Sequence, residues 1–471
     1  MTTTSRRSFL GKGALAAIGL GVAGRGASRV PGNLPRVGIV GGGLAGVSCA
    51  WLLDGVADAI LFESREILGG HAHTVPIEVG DRTVLVDVGA QFFASGPHPA
   101  YSKLMELVGL TKPEDPLHDE TLESEMTLTV MGSGEPWPRF VSPADGRSWP
   151  ILAPWNRRAL LAYFRFALAA KRLTRNGDWR LPLDRWLRSL PVNEEERERL
   201  LLPIVAGTVG CSIEEARALS ARSALVFIGL ALPKNLLAPV LYRHSALGLG
   251  GNVRFLAGIS GNLATHVGSP VTRVERIPEG GFTIENALGV KETVDVLVLA
   301  TPPYVSRALL GELPGHRRAI SVLDRFEFFH AEIAIHRDSV YMPEDPRVWS
   351  AYNALVDEPH SEASIWYGAL HPAEPGESPL PLFKSWATAR ARPPEQEILR
   401  RAFLHPFVTP DFLSAGRRLA QLQGQGGVWF AGSYTREVDG QDTALLSAMS
   451  VVRELDPQAP NLLALESTLG P

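Results

Sequence analysis

A glycine-rich turn near the N-terminus has the residue types and spacing that bind a dinucleotide. Gly41-Gly42-Gly43-Leu44-Ala45-Gly46 fits the pattern G-x-G-x-x-G, between an apolar strand, 37–40, and the apolar start of a helix, 47–53. Gly41 allows a sharp turn, Gly43 lets the backbone approach a pyrophosphate, and Gly46 lets the helix pack closely on the sheet. The free N–H groups of the helix N-terminus would then face the phosphates.

An acidic residue follows at the distance that such a site requires. A second apolar strand, 59–62, ends in Glu63 and is followed by Ser64. A carboxylate about 20 residues after the glycines accepts hydrogen bonds from the ribose hydroxyls of adenosine, and it would repel a 2′-phosphate. The sequence therefore predicts a site for FAD or NAD that includes Glu63 and Ser64. The alternative, an ordinary glycine turn, does not account for the order of strand, helix, strand and acid.

Length and composition set limits on the fold and the partners. A chain of 471 residues is too long for one compact core, so we expect two domains. The net charge of -4 gives no reason to expect a nucleic acid partner. The two cysteines, Cys49 and Cys211, are far apart and form no C-x-x-C pair, so neither a disulfide framework nor a metal site is predicted.

The first residues are typical of an export signal. Arg6-Arg7 and Phe9 precede an apolar run, 14–23, which is too short and too rich in glycine for a transmembrane span. The pattern resembles a twin-arginine signal, and the alternative is a disordered basic tail. We therefore exclude residues 1–33 from the fold and expect a periplasmic or other extracytoplasmic location.

A second glycine pair extends the motif toward a known family. Leu68-Gly69-Gly70-His71-Ala72-His73-Thr74 is followed by a strand, 83–88, that closes on Gly89 as D-x-G. The combination resembles the FAD-binding amine-oxidase superfamily, in which the glycine pair lies against the flavin and its phosphates. Most such enzymes carry Gly-Gly-Arg. His71 at that position is similar to a bacterial branch described as predicted NAD/FAD-binding proteins. The resemblance implies that Gly69, Gly70, His71 and Gly89 contact a non-covalent FAD.

Two later segments strengthen this resemblance. Residues 271–274, ending in Val274, look like the strand that holds adenine through backbone atoms. Residues 427–455 look like the closing motif, with a tight turn at Gly432 and a helix whose first residues, Asp442, Thr443 and Ala444, aim N–H groups at the flavin. Ser433 stands where the superfamily usually has an acid, which weakens the expected contact with the cofactor at that position. No cysteine lies nearby for a covalent flavin.

The predicted fold class is α/β, with a Rossmann-like FAD-binding domain interleaved with a mixed α+β substrate domain. The FAD-binding domain comprises 34–97, 246–305 and 425–456, and the substrate domain comprises 98–245 and 306–424. Residues 457–471 are expected to form a loose tail. The helix predicted at 157–175 is interpreted as a core helix of the substrate domain, and the alternative is an amphipathic helix in peripheral contact with a membrane.

The expected chemistry is hydride transfer between an organic substrate and flavin N5. His71 and Tyr434 are the candidate catalytic residues, and further aromatic residues are candidates for the pocket wall: Trp349, Trp366, Tyr367 and Trp386. We favour desaturation, saturation or isomerisation of an apolar lipid-like substrate, and oxidation of an amine is the alternative. The electron acceptor stays open. Because Ser433 departs from the motif, a non-catalytic FAD- or NAD-binding protein is a further hypothesis.

Overall fold

The computed structural model describes most of the chain after the N-terminal segment. It covers residues 34–80, 82–112, 121–144, 152–233, 238–311, 313–371 and 377–469. The export signal predicted within residues 1–33 lies outside these described residues. Within the described part, no helix combines the length and the apolar character that crossing a membrane requires.

Strands and helices alternate along the chain. The strands are β1 (Arg36–Val40), β2 (Asp58–Phe62), β3 (Thr74–Val79), β4 (Arg82–Asp87), β5 (Thr121–Glu125), β6 (Leu128–Gly132), β7 (Phe140–Val141), β8 (Leu241–Ser245), β9 (Leu263–His266), β10 (Val271–Arg276), β11 (Phe282–Asn286), β12 (Lys291–Val294), β13 (Val296–Leu299), β14 (Phe328–His336), β15 (Tyr352–Asp357), β16 (His360–Trp366), β17 (Phe383–Trp386), β18 (Glu397–Pro406) and β19 (Val428–Phe430).

The helices are α1 (Leu44–Leu52), α2 (Pro99–Leu107), α3 (Pro154–Asn176), α4 (Leu183–Arg188), α5 (Glu194–Glu196), α6 (Leu202–Val209), α7 (Ile213–Ala218), α8 (Ala221–Ala224), α9 (Val226–Gly229), α10 (Gly248–Gly258), α11 (Pro303–Leu310), α12 (Arg317–Leu323), α13 (Tyr367–Leu370), α14 (Pro410–Ala420), α15 (Gln441–Leu455) and α16 (Pro460–Leu469). A π-helical segment, Arg197–Leu201, joins α5 to α6.

A five-stranded parallel sheet forms the centre of the nucleotide-binding domain. Its order is β19-β13-β1-β2-β9, so three distant parts of the chain meet in one sheet. One face packs on α1, α10 and α15, and the other packs on the small antiparallel sheet β10-β11-β12. Because both faces are covered, the strands are continuously apolar, as parallel strands in α/β proteins usually are. The predicted fold class is confirmed.

A seven-stranded sheet, ordered β18-β14-β17-β16-β15-β6-β7, forms the second domain. We call inner face the side that carries Ile333 and Ile335, and outer face the side that carries Glu332. Toward β18 the inner face packs on the hairpin of β3 and β4, and toward β15 it packs on the helices between β7 and β8. The inner face therefore contacts both the nucleotide-binding domain and the helical insertion.

The C-terminal segment differs from the expected loose tail. Residues Pro460–Leu469 form α16, in which Leu462 and Leu465 are fully buried in the core that also contains α1 and α2. Asn461 adds a hydrogen bond from its side-chain amide to the carbonyl of Trp51, at 2.7 Å. Because the helix has 10 residues and lies at the end of the chain, where loose segments are common, the sequence was interpreted as a tail.

Candidate functional site

The predicted glycine turn lies at the carboxyl end of β1, directly before α1. Gly41 has a φ of +114°, and a Cβ on it would lie 2.4 Å from the carbonyl oxygen of Ala300. Gly43 is the N-cap of α1, with no side chain capping the helix and no acid in its first turn, Leu44-Ala45-Gly46. An uncapped helix N-terminus at the carboxyl ends of parallel strands is a binding site for a phosphate group.

The second glycine pair lies against this turn. The backbone N–H of Gly69 donates to the carbonyl of Gly42 at 2.9 Å, and Gly43 and Gly69 form an isolated parallel bridge. A Cβ on Gly70 would lie 3.1 Å from the Cα of Gly43. The two motifs therefore build one cradle from backbone atoms, which larger residues would fill. This cradle fits the diphosphate of a dinucleotide.

Glu63 is held in place beside the cradle. Its buried carboxylate accepts the N–H of Gly42 at 2.7 Å, the N–H of Arg65 at 2.9 Å and the hydroxyl of Ser64 at 3.1 Å. The carboxylate is thus fixed at the end of β2, where the ribose is expected. The hydroxyl of Ser64 is engaged by Glu63 in this arrangement.

Val274 is fully buried in the core, so its side chain cannot contact a nucleotide. Its strand β10 is the edge of the small sheet. The backbone groups on the outer side of an edge strand have no partner strand. β10 could hold adenine only through these groups.

Two arginines near the cradle have no carboxylate partner among the residues that the structure describes. A guanidinium N–H of Arg65 donates to the carbonyl of Gly70 at 3.4 Å, and Arg401 of β18 donates to Nε2 of His73 at 2.7 Å. Burial, followed by the charges of Arg401 and Arg65, lowers the pKa of His73 to about 4, so this imidazole is neutral. Burial and the charge of Arg65 also lower the pKa of Arg401. Adjacent cations with no counter-ion are suited to a bound phosphate.

His71 belongs to a cluster of polar side chains beside Phe403. Its ring lies 5.8 Å from that of His405, and His405 lies 3.9 Å from the carboxylate of Asp439. The His71 side chain has accessible surface, yet surrounding protein groups desolvate the ring and lower its pKa to about 4, against the opposing charge of Asp439. His71 is therefore neutral at pH 7 and cannot supply the positive charge of an arginine.

Asp439 provides the acid that position 433 lacks. The hydroxyl of Ser433 donates to the carboxylate of Asp439 at 2.6 Å. Burial favours the neutral acid, but His405, His71 and Ser433 outweigh it, so the pKa of Asp439 is lower than usual. A carboxylate is thus present beside Ser433 after all, contributed by a residue six positions further along the chain.

At the N-terminus of α15, backbone N–H groups are available to a flavin, but the side chains predicted to contact it are not. Gly440 is the N-cap and no side chain caps the helix. The carboxylate of Asp442 instead accepts the N–H of Tyr101 at 2.8 Å, and burial raises its pKa to about 6. The hydroxyl of Thr443 donates to the carbonyls of Val438 and Gly440. Asp442 and Thr443 can therefore contact a flavin only by their N–H groups.

Two further predicted backbone contacts are also engaged within the protein. The N–H of Ala444 donates to the carbonyl of Gly440 at 3.0 Å, as the first bond of the helix. The N–H of Gly432 donates to the hydroxyl of Ser447 at 2.8 Å. Neither N–H is free for a cofactor, although the φ of +147° at Gly432 still produces the expected tight turn.

A buried lysine fixes the turn at Gly89. The ammonium group of Lys384 donates to the carbonyl of Gly89 at 2.5 Å and to Oε1 of Gln91 at 3.2 Å. Gln91 in turn donates to the hydroxyl of Tyr367 at 3.0 Å. Burial lowers the pKa of Lys384 to about 7, and the charge of Asp87 opposes this shift. A lysine inside the apolar strand β17 was the sequence signal for this contact.

Tyr434 was predicted to lie in the pocket, and the structure places it elsewhere. Its ring is buried in the core between the parallel sheet and α14, 5.4 Å from the ring of Phe326. The short 3₁₀ turn Ser433–Thr435 directs the side chain inward, away from the glycine cradle. A catalytic role for Tyr434 is not supported by this position. Trp349 and Trp366 likewise pack on each other, at 5.1 Å between ring centroids.

Comparison with known proteins agrees with this geometry. The family model described as flavin containing amine oxidoreductase matches residues 44–329, which is more than half of the chain. The chain therefore belongs to this family and is an FAD-dependent oxidoreductase that acts on a small molecule. Its cofactor is FAD, bound non-covalently, and the glycine cradle, Glu63 and the open helix N-termini are the groups that fit it. No curated protein matches the chain.

Solved structures share the fold at low identity. A CLA-producing fatty acid isomerase from P. acnes is 15% identical with a TM-score of 0.62, and the match covers 90% of this chain and 99% of that one. Putrescine oxidase bound to putrescine is 16% identical with a TM-score of 0.60, covering 89% and 98%. Cyclohexylamine oxidase from Brevibacterium oxydans is 16% identical with a TM-score of 0.59, covering 90% and 100%.

Proposed function

We propose that this flavoenzyme desaturates, saturates or isomerises an apolar, lipid-like substrate that carries a carboxylate, rather than oxidising an amine. The observation that carries the proposal is the composition of the inner face of the seven-stranded sheet. Strand register identifies the side chains that share this face. They are Phe329, Ala331, Ile333, Ile335, Tyr352, Ile365, Lys384, Trp386, Leu399, Arg401, Phe403 and His405.

This surface is apolar or aromatic apart from two cations and one imidazole. Lys384 and Arg401 are the cations, and none of the side chains named for this face is a carboxylate. An alkylamine is protonated near neutral pH and would find no carboxylate among the side chains named for this face to pair with. The carboxylate of a fatty acid could accept from the ammonium group of Lys384, and its chain would pack on the half-buried side chains of this face, Tyr352, Trp386 and Leu399.

A neutral polar contact is also available close to Lys384. His244 is buried, and its ring packs 4.7 Å from that of Phe92. Its Nε2 has no hydrogen-bond partner within the described part of the chain. Burial lowers its pKa to about 3, with further lowering by His371 and Lys384. A buried unpaired imidazole nitrogen calls for a partner, and we assign it to the substrate.

An acidic cavity elsewhere does not favour an amine. A cavity of about 360 Å³ is lined by residues that include Glu215 and Glu362. Glu215 accepts from the N–H and hydroxyl of Ser212, and Glu362 accepts from the N–H groups of Thr388 and Ala389. Arg390 lies 3.3 Å from the same carboxylate of Glu362. Both acids are occupied within the protein and are not free to pair with an ammonium group.

The solved relatives are compatible with either substrate class, since one is a fatty acid isomerase and two are amine oxidases. FAD supplies the site that accepts or returns hydride. The chain supplies orientation: Lys384 and Gln91 hold the turn at Gly89, while the N–H groups at the start of α15 can stabilise negative charge on the ring.

The test is a substrate panel with the FAD-loaded full chain. Polyunsaturated fatty acids, their methyl esters, putrescine and cyclohexylamine are mixed anaerobically with the enzyme. Flavin bleaching and product double bonds are then followed by absorbance and mass spectrometry. We expect bleaching or isomerisation with the free fatty acids, weaker effects with the esters, and none with the amines. Bleaching by an amine together with inert fatty acids would contradict the proposal.

We also propose export to the periplasm by the twin-arginine route. The support is the sequence pattern of Arg6-Arg7, Phe9 and the apolar run 14–23, all outside the described residues. Residues 1–33 fused to a reporter that is active only after export should give signal, and R6K with R7K should abolish it. A reporter retained inside the cell with the natural sequence would exclude this route.

A further inference from the structure

We infer that the outward face of helix α3 docks on an anionic phospholipid bilayer. The helix spans Pro154–Asn176 and contains no Asp or Glu. One side is buried in the core of the helical insertion, with Phe166 and Ala170 fully enclosed. The opposite side faces outward, and its composition is the basis of the inference.

Three large apolar residues form a stripe on the outward side. Leu161, Phe164 and Leu168 are 53%, 36% and 37% exposed. Positions three and four apart lie on one helix face, so these side chains are neighbours. Leu152, just before the helix, is 63% exposed. Single exposed leucines are ordinary, but a continuous apolar stripe marks an interaction surface.

Arginines flank this stripe on the same outward side. The exposed arginines of the helix are Arg157, Arg158, Arg165, Arg172 and Arg175. Among the described residues none of the five forms a salt bridge, and Arg165 donates to the carbonyl of Pro191 at 3.0 Å. Five cations thus gather on one helix of a chain whose net charge is -4. The surface is complementary to a negatively charged partner.

An apolar stripe between cations is the arrangement of a helix that lies in a membrane interface. Arginine stems can follow the apolar region while the guanidinium groups reach lipid phosphates. Within the described residues, no helix could cross a bilayer. The inferred contact is therefore peripheral. It does not depend on the proposed substrate, because the helix would bind lipid headgroups whatever the flavin site oxidises.

The test is co-sedimentation of the full chain with vesicles of phosphatidylcholine, alone or mixed with phosphatidylglycerol. The N-terminal segment is the same in every sample, so differences between variants report on α3. We expect binding to the mixed vesicles that weakens with salt, and little binding to phosphatidylcholine alone. The combined variant L161S/F164S/L168S should bind at least tenfold more weakly. The combined variant R157Q/R158Q/R165Q should lose about fivefold per arginine.

The matched control is L288S, since Leu288 is 74% exposed on the turn between β11 and β12, remote in sequence from α3. It should bind vesicles as the unchanged chain does. Bound FAD absorbance and circular dichroism show whether each variant is folded. Equal binding by all variants would overturn the inference. So would a dimer in light scattering that dissociates in the apolar variant without any vesicle binding, because a second copy would then cover the stripe.

Discussion

Arg400 and Arg401 are adjacent on β18 and lie on opposite faces of the seven-stranded sheet. They differ in whether a carboxylate pairs with the guanidinium group. Arg400, on the outer face, pairs with Glu332 at 2.8 Å and Glu397 at 2.7 Å, and these carboxylates raise its pKa. Arg401, on the inner face, contacts the neutral His73, and desolvation lowers its pKa. A paired charge is satisfied within the protein. Arg401 is half-buried and has no carboxylate partner among the described residues, and such a charge beside the glycine cradle indicates a ligand.

The same contrast extends across the sheet. On the outer face, Arg390 pairs with Glu362, and His336 is bonded at both ring nitrogens, to the carbonyl of Asp338 and the hydroxyl of Ser385. On the inner face, Lys384 is held by neutral oxygens, with Asp87 as the nearby opposite charge. The outer face is thus complete by itself, while on the inner face Arg401 leaves positive charge for the cofactor.

Lys384→Met should give the largest effect. It removes the donor to Gly89 and Gln91 and leaves the buried Asp87 without its cation. We expect a loss of about 3–5 kcal/mol in the free energy of unfolding, together with reduced FAD content, measured by urea denaturation and absorbance. Ser385→Ala, the outer-face neighbour bonded to His336 and Ser364, should cost about 1 kcal/mol. Equal losses would remove the distinction between the faces.

Arg401→Gln should weaken FAD binding about 10- to 100-fold, since a hydrogen bond to a charged group contributes about 1.5–3 kcal/mol. It should also reduce the salt dependence of the dissociation constant, which fluorescence titration measures. Arg400→Gln is the control, because its partners Glu332 and Glu397 face away from the cradle. If both variants bind FAD equally well, Arg401 does not contact the diphosphate.

Sequence patterns predicted those parts of the site that a single segment of the chain contains. The glycines, Glu63 and the second glycine pair meet because strand, turn and helix dictate their positions. Arg401 was missed because it reaches His73 across 328 positions, through the register of a strand in the other domain. Asp439 was missed because its bond to Ser433 depends on the conformation of the turn. Such contacts depend on tertiary packing, which periodicity and composition do not encode.

His244, which lies outside the seven-stranded sheet but near Lys384, should contribute to the loss of stability in acid. His244 has a folded pKa of about 3 and an ordinary pKa near 6.5, so the unfolded chain binds more protons between these values. The stability present above about pH 6.5 is lost as the pH falls, by about 2 kcal/mol from pH 7 to pH 5 for this residue. His244→Phe should reduce that slope in urea denaturation. His336→Phe should lower stability at both pH values, because Asp338 and Ser385 lose their partner. It should also reduce the slope, because burial lowers the pKa of His336 as well.

The smallest effect is expected for Tyr434→Phe, which separates a core position from a catalytic one. The buried hydroxyl of Tyr434 has only the side chain of Ser306 near it and forms no hydrogen bond of ordinary geometry within the described residues, while its ring packs on Phe326. Removing an unpaired hydroxyl and keeping the ring should change the free energy of unfolding by less than about 0.5 kcal/mol. The rate of flavin reduction by substrate should also stay within about twofold. A loss of tenfold or more in that rate, with an unchanged free energy of unfolding, would support a catalytic role for Tyr434. Only contact with the reacting groups lowers the rate without changing the stability.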